Sequence, residues 1–230
     1  RDNFGNVTQP SLAIAVKTDS SLFVIKKQSG RAQSIPAAKD GLTGTSWDGL
    51  MGTADTVKQQ SGILKMVSHN TLWDGSATTG PFAYHNVKGD FVAEVKLSDI
   101  IGLSQKKAYG ANEAGIMVKA TQSGRKLIQN GVMPGWGVGN IVTTLNARDR
   151  RQTNNLSGWN FYTHLQIQRI GNIFFMRGSH DGKEWKNLPG SPVKRDDLEN
   201  EALQVGVYHA TYGDISGYAD FSHFRIIQKR

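Results

Sequence analysis

The stretch LQIQRIGNIFFMRGSHDGKEWKNL, residues 165–188, decides the fold class. Two pairs of turn-forming residues, Gly171-Asn172 and Asp181-Gly182, separate three short runs of β-prone residues. Such pairs between β-prone runs are the strongest local signal for hairpin turns. The sequence therefore predicts a meander of three antiparallel strands.

The first turn also predicts which residues of the meander share a face. With Gly171-Asn172 as a two-residue turn, Gln166 lies opposite Arg177 and Gln168 lies opposite Phe175, because side chains alternate along a strand. The other face is apolar and carries Leu165, Ile167, Phe174 and Met176. A sheet of this kind packs one face on a core and offers the other to water or a ligand. We therefore predict that Gln166, Gln168, Phe175 and Arg177 bind a ligand.

Other segments repeat the alternating pattern of a strand. They are residues 63–67, 90–97, 114–120, 141–145 and 203–211. In residues 218–227 the apolar parity changes, which predicts a β-bulge near Ser222-His223. Only residues 196–200 favour a helix or turn. The predicted fold class is all-β, a two-sheet antiparallel β-sandwich of the jelly-roll type.

A single domain over residues 1–230 is the favoured organisation. Residues 12–17 and 22–27 form a predicted hairpin, and a lone hairpin is unstable without a sheet to join. The segment that follows is rich in Ser, Ala, Pro and Gly, which is typical of a linker or a surface loop. Residues 1–40 are therefore also open to interpretation as an N-terminal extension or the remnant of a preceding domain.

Composition excludes several kinds of site. The chain has no cysteine, so it has no disulfide, no thiolate metal ligand and no cysteine nucleophile. It contains no run of 18 apolar residues, so we expect no membrane span. The formal net charge of +8 favours anionic partners, although scattered Lys and Arg residues also serve solubility.

Several motifs that would indicate other functions are weak or missing. The glycine-rich residues 135–139 lack the flanking strand and helix of a phosphate-binding loop. The six histidines do not occur at metal-ligand spacing, and only His209, before a polar loop, is a candidate for ligand contact. A basic run contains Arg148, but no RNA-binding or helix-turn-helix signature accompanies it, so no nucleic-acid partner is expected.

The acidic residues give a weak signal for glycoside hydrolysis. That chemistry needs two carboxyl groups flanking the scissile bond. No E-x-D-x-E cluster occurs on one strand, and Glu94 is the best single candidate because it points away from the core of a regular strand. A solvated strand glutamate is the alternative interpretation.

Aromatic side chains in polar loops are typical of sugar binding, because pyranose rings stack on them. Five aromatic residues lie in such connections: Trp73, Tyr84, Trp136, Trp159 and Tyr212. Of these we predict Trp136, Trp159 and Tyr212 as ligand-binding residues, together with Arg148. Trp185 follows the Asp181-Gly182 turn, and we expect it, like Trp47, to pack on the sheet.

Six segments resemble successive strands of the concanavalin A-like lectin/glucanase superfamily: GDFVAEVKL, AGIMVKA, LQIQRIGN, SHDGKEW, LQVGVYHATY and ADFSHFRI. The closest resemblance is to the domain appended to bacterial β-xylosidases and to related secreted domains of unknown function. It rests on Arg169 to Phe174, Ser179 to Trp185 and Ala219 to Phe221, and covers roughly residues 61–230.

The resemblance implies a jelly roll from a secreted, periplasmic or cell-surface glycan-utilisation system. Relatives often carry structural calcium, but no ligand set matches here residue by residue, and no other cofactor is expected. The insert of residues 124–158 departs from the compact pattern.

These observations favour a carbohydrate-binding or accessory domain whose partner is an oligo- or polysaccharide, including an anionic one. One alternative is a glycoside hydrolase with a carboxylate pair that includes Glu94. The other is a surface adhesion or protein-interaction module, which predicts a large exposed apolar patch.

Overall fold

The computed structural model describes residues 33–34, 47–74, 79–103, 110–121, 125–135, 138–146 and 151–228. The predicted hairpin of residues 12–27 lies outside these residues, as do Trp136 and Arg148. Within the described ranges, no helix is both long and apolar enough to cross a membrane.

The described strands form two antiparallel sheets, numbered here in chain order. The nine-stranded sheet contains β1 (Gln33–Ser34), β3 (Thr56–Gln60), β4 (Ile63–His69), β6 (Phe91–Ile100), β11 (His164–Ile170), β12 (Ile173–Ser179), β13 (Lys186–Asn187), β14 (Val193–Lys194) and β16 (Ser216–Gln228). The seven-stranded sheet contains β2 (Gly49–Met51), β5 (Phe82–Val87), β7 (Glu113–Ala120), β8 (Leu127–Gly135), β9 (Val138–Leu145), β10 (Arg151–Leu156) and β15 (Leu203–Ala210).

The strand orders differ from the chain order, so several connections cross between the sheets. The nine-stranded sheet runs β13-β12-β11-β6-β16-β4-β3, with β1 on β16 and β14 on β12. The seven-stranded sheet runs β10-β9-β8-β7-β15-β5-β2. A 3-10 turn at Asp196–Leu198 confirms the predicted turn in that region. The predicted two-sheet antiparallel β-sandwich is confirmed.

The meander has the predicted register. Gln166 pairs with Arg177, Gln168 with Phe175, and β13 adds the third strand beside β12. The apolar face of the meander is buried in the main core against residues of the seven-stranded sheet, including Ile116. Asn130 of β8 crosses the same interior, and its Nδ2 donates to the carbonyl oxygens of Gln166 (3.0 Å) and Arg177 (2.9 Å).

The predicted bulge in β16 is also confirmed. Ser222 pairs with Lys96 and Arg225 pairs with Glu94, so two residues of β16 face one residue of β6 between these pairs. His223 is the residue with a left-handed backbone there, at φ 54°. Bulges of this kind redirect a side chain without ending the strand. Phe224 therefore returns to the core, where it is fully buried.

Three strands of six or more residues were not predicted. β5 lies in the segment that the sequence suggests is a polar connection, and β8 and β10 lie in the expected insert. Every residue of β8 is buried and every residue of β10 is exposed, so neither strand alternates between apolar and polar. The period of two that marks a half-buried strand is therefore missing from both.

Candidate functional site

A row of five polar side chains crosses the outer face of the nine-stranded sheet. The row runs Arg225, Glu94, Gln166, Arg177 and Asn187, and each residue is the register partner of the next. Gln166 donates to Glu94 Oε1 (2.8 Å), and Arg225 Nε donates to Glu94 Oε2 (2.6 Å). Arg177 donates to Gln166 Oε1 (2.8 Å) and to Asn187 Oδ1 (3.1 Å). We call this chain of contacts the polar row.

The four meander residues predicted to bind ligand share this face but are covered. Gln166 is 4% exposed, Phe175 5% and Arg177 6%, while Gln168 has no exposed surface. Arg177 also donates to Gln168 (2.8 Å), and its guanidinium carbon lies 4.9 Å from the Phe175 ring centre. Burial lowers the pKa of Arg177 to about 10. In this arrangement the four residues brace the sheet and present almost no surface to a ligand.

A groove of about 420 Å³ opens beside the polar row. Its floor includes Lys96 and His164, which are register partners on β6 and β11. One wall is the turn of residues 181–185, which passes so close that a Cβ on Gly182 would lie 2.8 Å from His164 Nδ1. The opposite wall is the bulge that carries His223. The groove is therefore built from three strands and one turn.

The turn that forms the first wall is held by its own hydrogen bonds. The Asp181 carboxylate accepts the backbone N–H groups of Lys183 (2.8 Å) and Glu184 (3.0 Å) and the Ser179 hydroxyl (2.9 Å). These bonds, led by the two backbone groups, hold the pKa of Asp181 far below its usual range. Asp181 is therefore ionised and committed to the turn.

Trp185 corrects a prediction made from the sequence. We expected it to pack on the sheet, but its indole is only half-buried and lines the groove. Trp47, by contrast, is 3% exposed and packs against both His85 and Phe224, as expected. An aromatic face held on a rigid turn beside an open groove is a surface on which a sugar ring can stack.

Glu94 lines the groove but is not free. Both of its oxygens accept hydrogen bonds, from Gln166 and from Arg225. Asp181 lines the same groove, so two carboxyl groups do meet there. Asp181 is held ionised by its turn, however, and a glycosidase acid must carry a proton to the leaving oxygen. Asp181 is committed to its turn and Glu94 to Gln166 and Arg225, so both carboxyl groups already hold hydrogen-bond partners.

His209 does not reach a ligand surface. It has no exposed area, and its ring nitrogens lie 2.9 Å from Ser68 Oγ and 3.3 Å from Asn112 Oδ1. Burial lowers its pKa to about 3, so the ring is neutral over the physiological range. The prediction that His209 contacts ligand is therefore wrong for this structure, because the strand end that carries it is sealed inside the protein.

The described loop aromatics do not converge on one site. Trp159 is 39% exposed and packs on Phe161, with ring centres 5.6 Å apart, away from the groove lining. Trp73 is fully buried, and its carbonyl oxygen accepts a hydrogen bond from the Tyr212 hydroxyl (3.3 Å). Tyr84 stacks on Phe82. Only Trp159 of this set offers a large exposed ring.

A second polar cluster lies on the outer face of the seven-stranded sheet. Tyr208 donates to Glu113 Oε1, and both side chains are fully buried. Burial raises the pKa of Glu113, against hydrogen bonds from Tyr208 and Tyr212 and the charge of Arg151. The buried Gln129 amide, on β8, has no hydrogen-bond partner among the residues that the structure describes. The sequence does not single out Glu113, because its burial is produced by distant segments.

The two clusters differ in access. The groove is open and has room for a ligand, whereas Glu113 and Tyr208 have no exposed surface. In the part of the chain that the structure describes, no three His, Asp or Glu side chains come together as a metal site would require. The groove is therefore the candidate functional site.

Comparison with known proteins supports the fold. No protein-family model and no curated protein sequence matches the chain. Among solved structures, a functionally unknown protein from Saccharomyces cerevisiae is 16% identical, with a TM-score of 0.65 over 79% of this chain and 96% of that one. The likeness shows that the two chains share a β-sandwich fold.

Two glycoside hydrolase structures share this fold over part of their length. A variant of the GH43 protein BlXynB from Bacillus licheniformis is 15% identical, with a TM-score of 0.59 over 74% of this chain and 34% of that one. Xylan β-1,4-xylosidase from Bacillus halodurans C-125 is 11% identical, with a TM-score of 0.56 over 76% and 38%. The chain thus spans little more than a third of either protein.

Proposed function

We propose that this protein is a carbohydrate-binding domain that holds a glycan in the groove beside the polar row. The observation that carries the proposal is the half-buried Trp185 ring on the groove wall, next to side chains that can bond hydroxyl groups. Sugar sites combine these two elements, because the ring faces of a pyranose are apolar and its rim is polar.

The hydrogen bonds around the groove support binding instead of turnover. Glu94 is fixed by Gln166 and Arg225, so its carboxylate is oriented before any ligand arrives. Preorganised groups lose less conformational entropy when they bind. In the same way, the hydrogen bonds within the turn of residues 181–185 fix the backbone that carries Trp185.

The glycoside hydrolases that share the fold support a carbohydrate as the ligand class. Because the chain matches about a third of those proteins, an accessory role beside a catalytic domain fits their organisation. A secreted, periplasmic or cell-surface location belongs to the same proposal.

Paired tryptophan variants test the proposal. The wild-type protein is screened against an array of plant and microbial oligosaccharides, and hits are measured by titration calorimetry. Trp185→Ala should weaken binding roughly tenfold or more, since it removes one stacking surface. Trp159→Ala is the matched control, because it removes an exposed indole outside the groove.

The outcomes distinguish a ligand site at Trp185, which the structure suggests, from one at Trp159, which the sequence predicts. If Trp159→Ala weakens binding and Trp185→Ala does not, the ligand site lies on the β10–β11 connection and the groove proposal is wrong. No binding to any glycan at millimolar concentration would also contradict it. Release of reducing sugar by wild-type protein, lost in Glu94→Gln, would favour the glycoside hydrolase instead.

A further inference from the structure

The floor of the groove carries a second cross-strand row, next to the polar row. Lys96 of β6 lies between Ser222 of β16 and His164 of β11, because it is the register partner of both. The ammonium group of Lys96 makes no ion pair or hydrogen bond with any residue that the structure describes. His223 extends from the bulge beside Ser222, and its Nδ1 is 3.0 Å from Ser222 Oγ.

The charges that face the groove do not balance. Arg225 is neutralised by Glu94, with Nη2 and Oε2 2.5 Å apart. The Asp181 carboxylate is occupied by backbone N–H groups of its own turn. The remaining cationic and titratable groups come from every wall: Lys96 from β6, His164 from β11, Lys183 from the turn and His223 from β16.

These groups act on one another. Burial is the main cause that lowers the pKa of His164, and the charges of Lys96 and His223 lower it further, against weaker opposing effects of Asp181 and Glu94. Lys96, Lys183 and Arg225 outnumber the carboxylates of Glu94 and Asp181 by one positive charge. The cations repel one another, and an anionic ligand reduces that repulsion.

We infer that the groove is specific for an acidic sugar, whose carboxylate or sulfate group contacts Lys96, His164 and His223 while its ring stacks on Trp185. This inference rests on the proposed function, and it names the class of glycan. The geometry supports it because Lys96 and His164 line the floor and His223 lines one wall, while the Trp185 ring lines the facing wall.

Ligand pairs that differ only in charge test the inference. One pair is trigalacturonic acid and its methyl ester, and the other is a sulfated galactan oligosaccharide and its desulfated form. The acidic member of at least one pair should bind more tightly, and the pair that shows the preference identifies a carboxylate or a sulfate as the recognised group. Lys96→Gln should reduce that preference about two- to fivefold, as expected for a partly exposed ion pair.

The pH dependence gives a second readout. Protonation of His164 adds positive charge to the groove, whereas a uronate stays ionised at about pH 5. Affinity for the acidic sugar should therefore rise as the pH falls from about 8 to about 5, and that of the methyl ester should not. His164→Gln should flatten this rise.

Three results would overturn the inference, and they separate it from the proposed function. Equal affinity for both members of each pair, with Trp185→Ala weakening all of them, leaves the carbohydrate site standing and excludes the acidic preference. The same loss of preference in Lys96→Gln and in the surface variant Lys194→Gln indicates a general charge effect. Binding by neither member of any pair, nor by any neutral glycan, removes the proposed function as well.

Discussion

Glu94 and Arg225 face each other across strands β6 and β16, and both Nε and Nη2 of the guanidinium group lie within 2.6 Å of Glu94 Oε2. The Glu94 side chain is 12% exposed and that of Arg225 is 48% exposed. This pair forms one end of the polar row and one edge of the groove. It therefore belongs both to the hydrogen-bonded row that braces the sheet and to the groove that we propose binds ligand.

Replacing the charge of Glu94 should lower stability moderately. Glu94→Gln keeps the shape and the contact with Gln166 but loses the ionic part of the Arg225 contact. We expect the free energy of unfolding to fall by about 1 kcal/mol, because one partner is nearly buried and the other is half-exposed. Urea denaturation measures the change.

Lys194→Gln is the control for this variant. It breaks the pair of Lys194 with Asp196, whose side chains are 65% and 67% exposed, so stability should hardly change. Equal losses in the two variants would show that the Glu94 contact has no special strength.

The glycine at position 131 should be intolerant of any side chain. A Cβ there would lie 2.5 Å from the Tyr208 hydroxyl oxygen and 3.0 Å from the Ala114 carbonyl oxygen. Gly131→Ala should cost about 1–3 kcal/mol of folding free energy, because the overpacked site must shift. Thermal and denaturant unfolding both report this loss.

A double-mutant cycle identifies the clash. Tyr208→Phe removes the hydroxyl that the new methyl group would meet, so Gly131→Ala should cost less in that background. If Gly131→Ala costs the same free energy of unfolding in both backgrounds, the clash is not with Tyr208 but with the backbone carbonyl of Ala114.

The buried Glu113 should make stability fall as the pH rises. Its pKa is raised by burial above the ordinary value of 4.5, so the folded protein favours the protonated form. Its contribution is therefore fully present below the unfolded pKa and is lost as the pH rises through the folded pKa. Glu113→Gln, which is always neutral, should remove this loss.

Melting temperatures over a pH series check the effect. The melting temperature of Glu113→Gln should rise relative to that of the wild type as the pH rises above about 4.5, the ordinary pKa of a glutamate. Glu199→Gln, an exposed position, is the control and should show no such gain. A constant difference between wild type and Glu113→Gln at all pH values would contradict the prediction.

The effect of His209 on the pH dependence of stability should be opposite to that of Glu113. Its folded pKa of about 3 lies below the ordinary 6.5, so its neutral form is the stable one. That stability is present above the unfolded pKa and is lost as the pH falls toward the folded one. The His209 imidazole signals in NMR should therefore not titrate between about pH 5 and pH 8. A midpoint inside that range would show that the ring is accessible to solvent.

The meander was predictable because its information is local. The Gly171-Asn172 turn sets the register, and the alternation of the next residues sets the faces, so the pairing of Gln166 with Arg177 follows from sequence alone. The bulge near His223 was predictable for the same reason, since the apolar parity changes within one strand. Strand β8 was not, because both of its faces are buried and no alternation remains.

The sequence predicted which face of the sheet the site residues share, but not which of them are exposed to a ligand. Sequence placed Gln168 and Arg177 on the outer face, but their burial depends on what other parts of the chain bring to that face. It assigned Trp185 to packing from its position after a turn, because nothing local shows that Lys96 and His164 lie across from it. Which side chains line a groove is set by strand order, and strand order is a property of distant segments.

The bulge in β16 adds a groove residue, His223, that takes no part in the pairing of the sheet. Ser222 keeps its partner Lys96 and Arg225 keeps its partner Glu94 on either side of it, so the sheet does not need His223 for any of its pairing. The residue is an insertion whose length and identity can change while the core stays the same. Related chains can thus acquire different ligand preferences at this one position, and an engineer can delete or replace it without redesigning the sandwich.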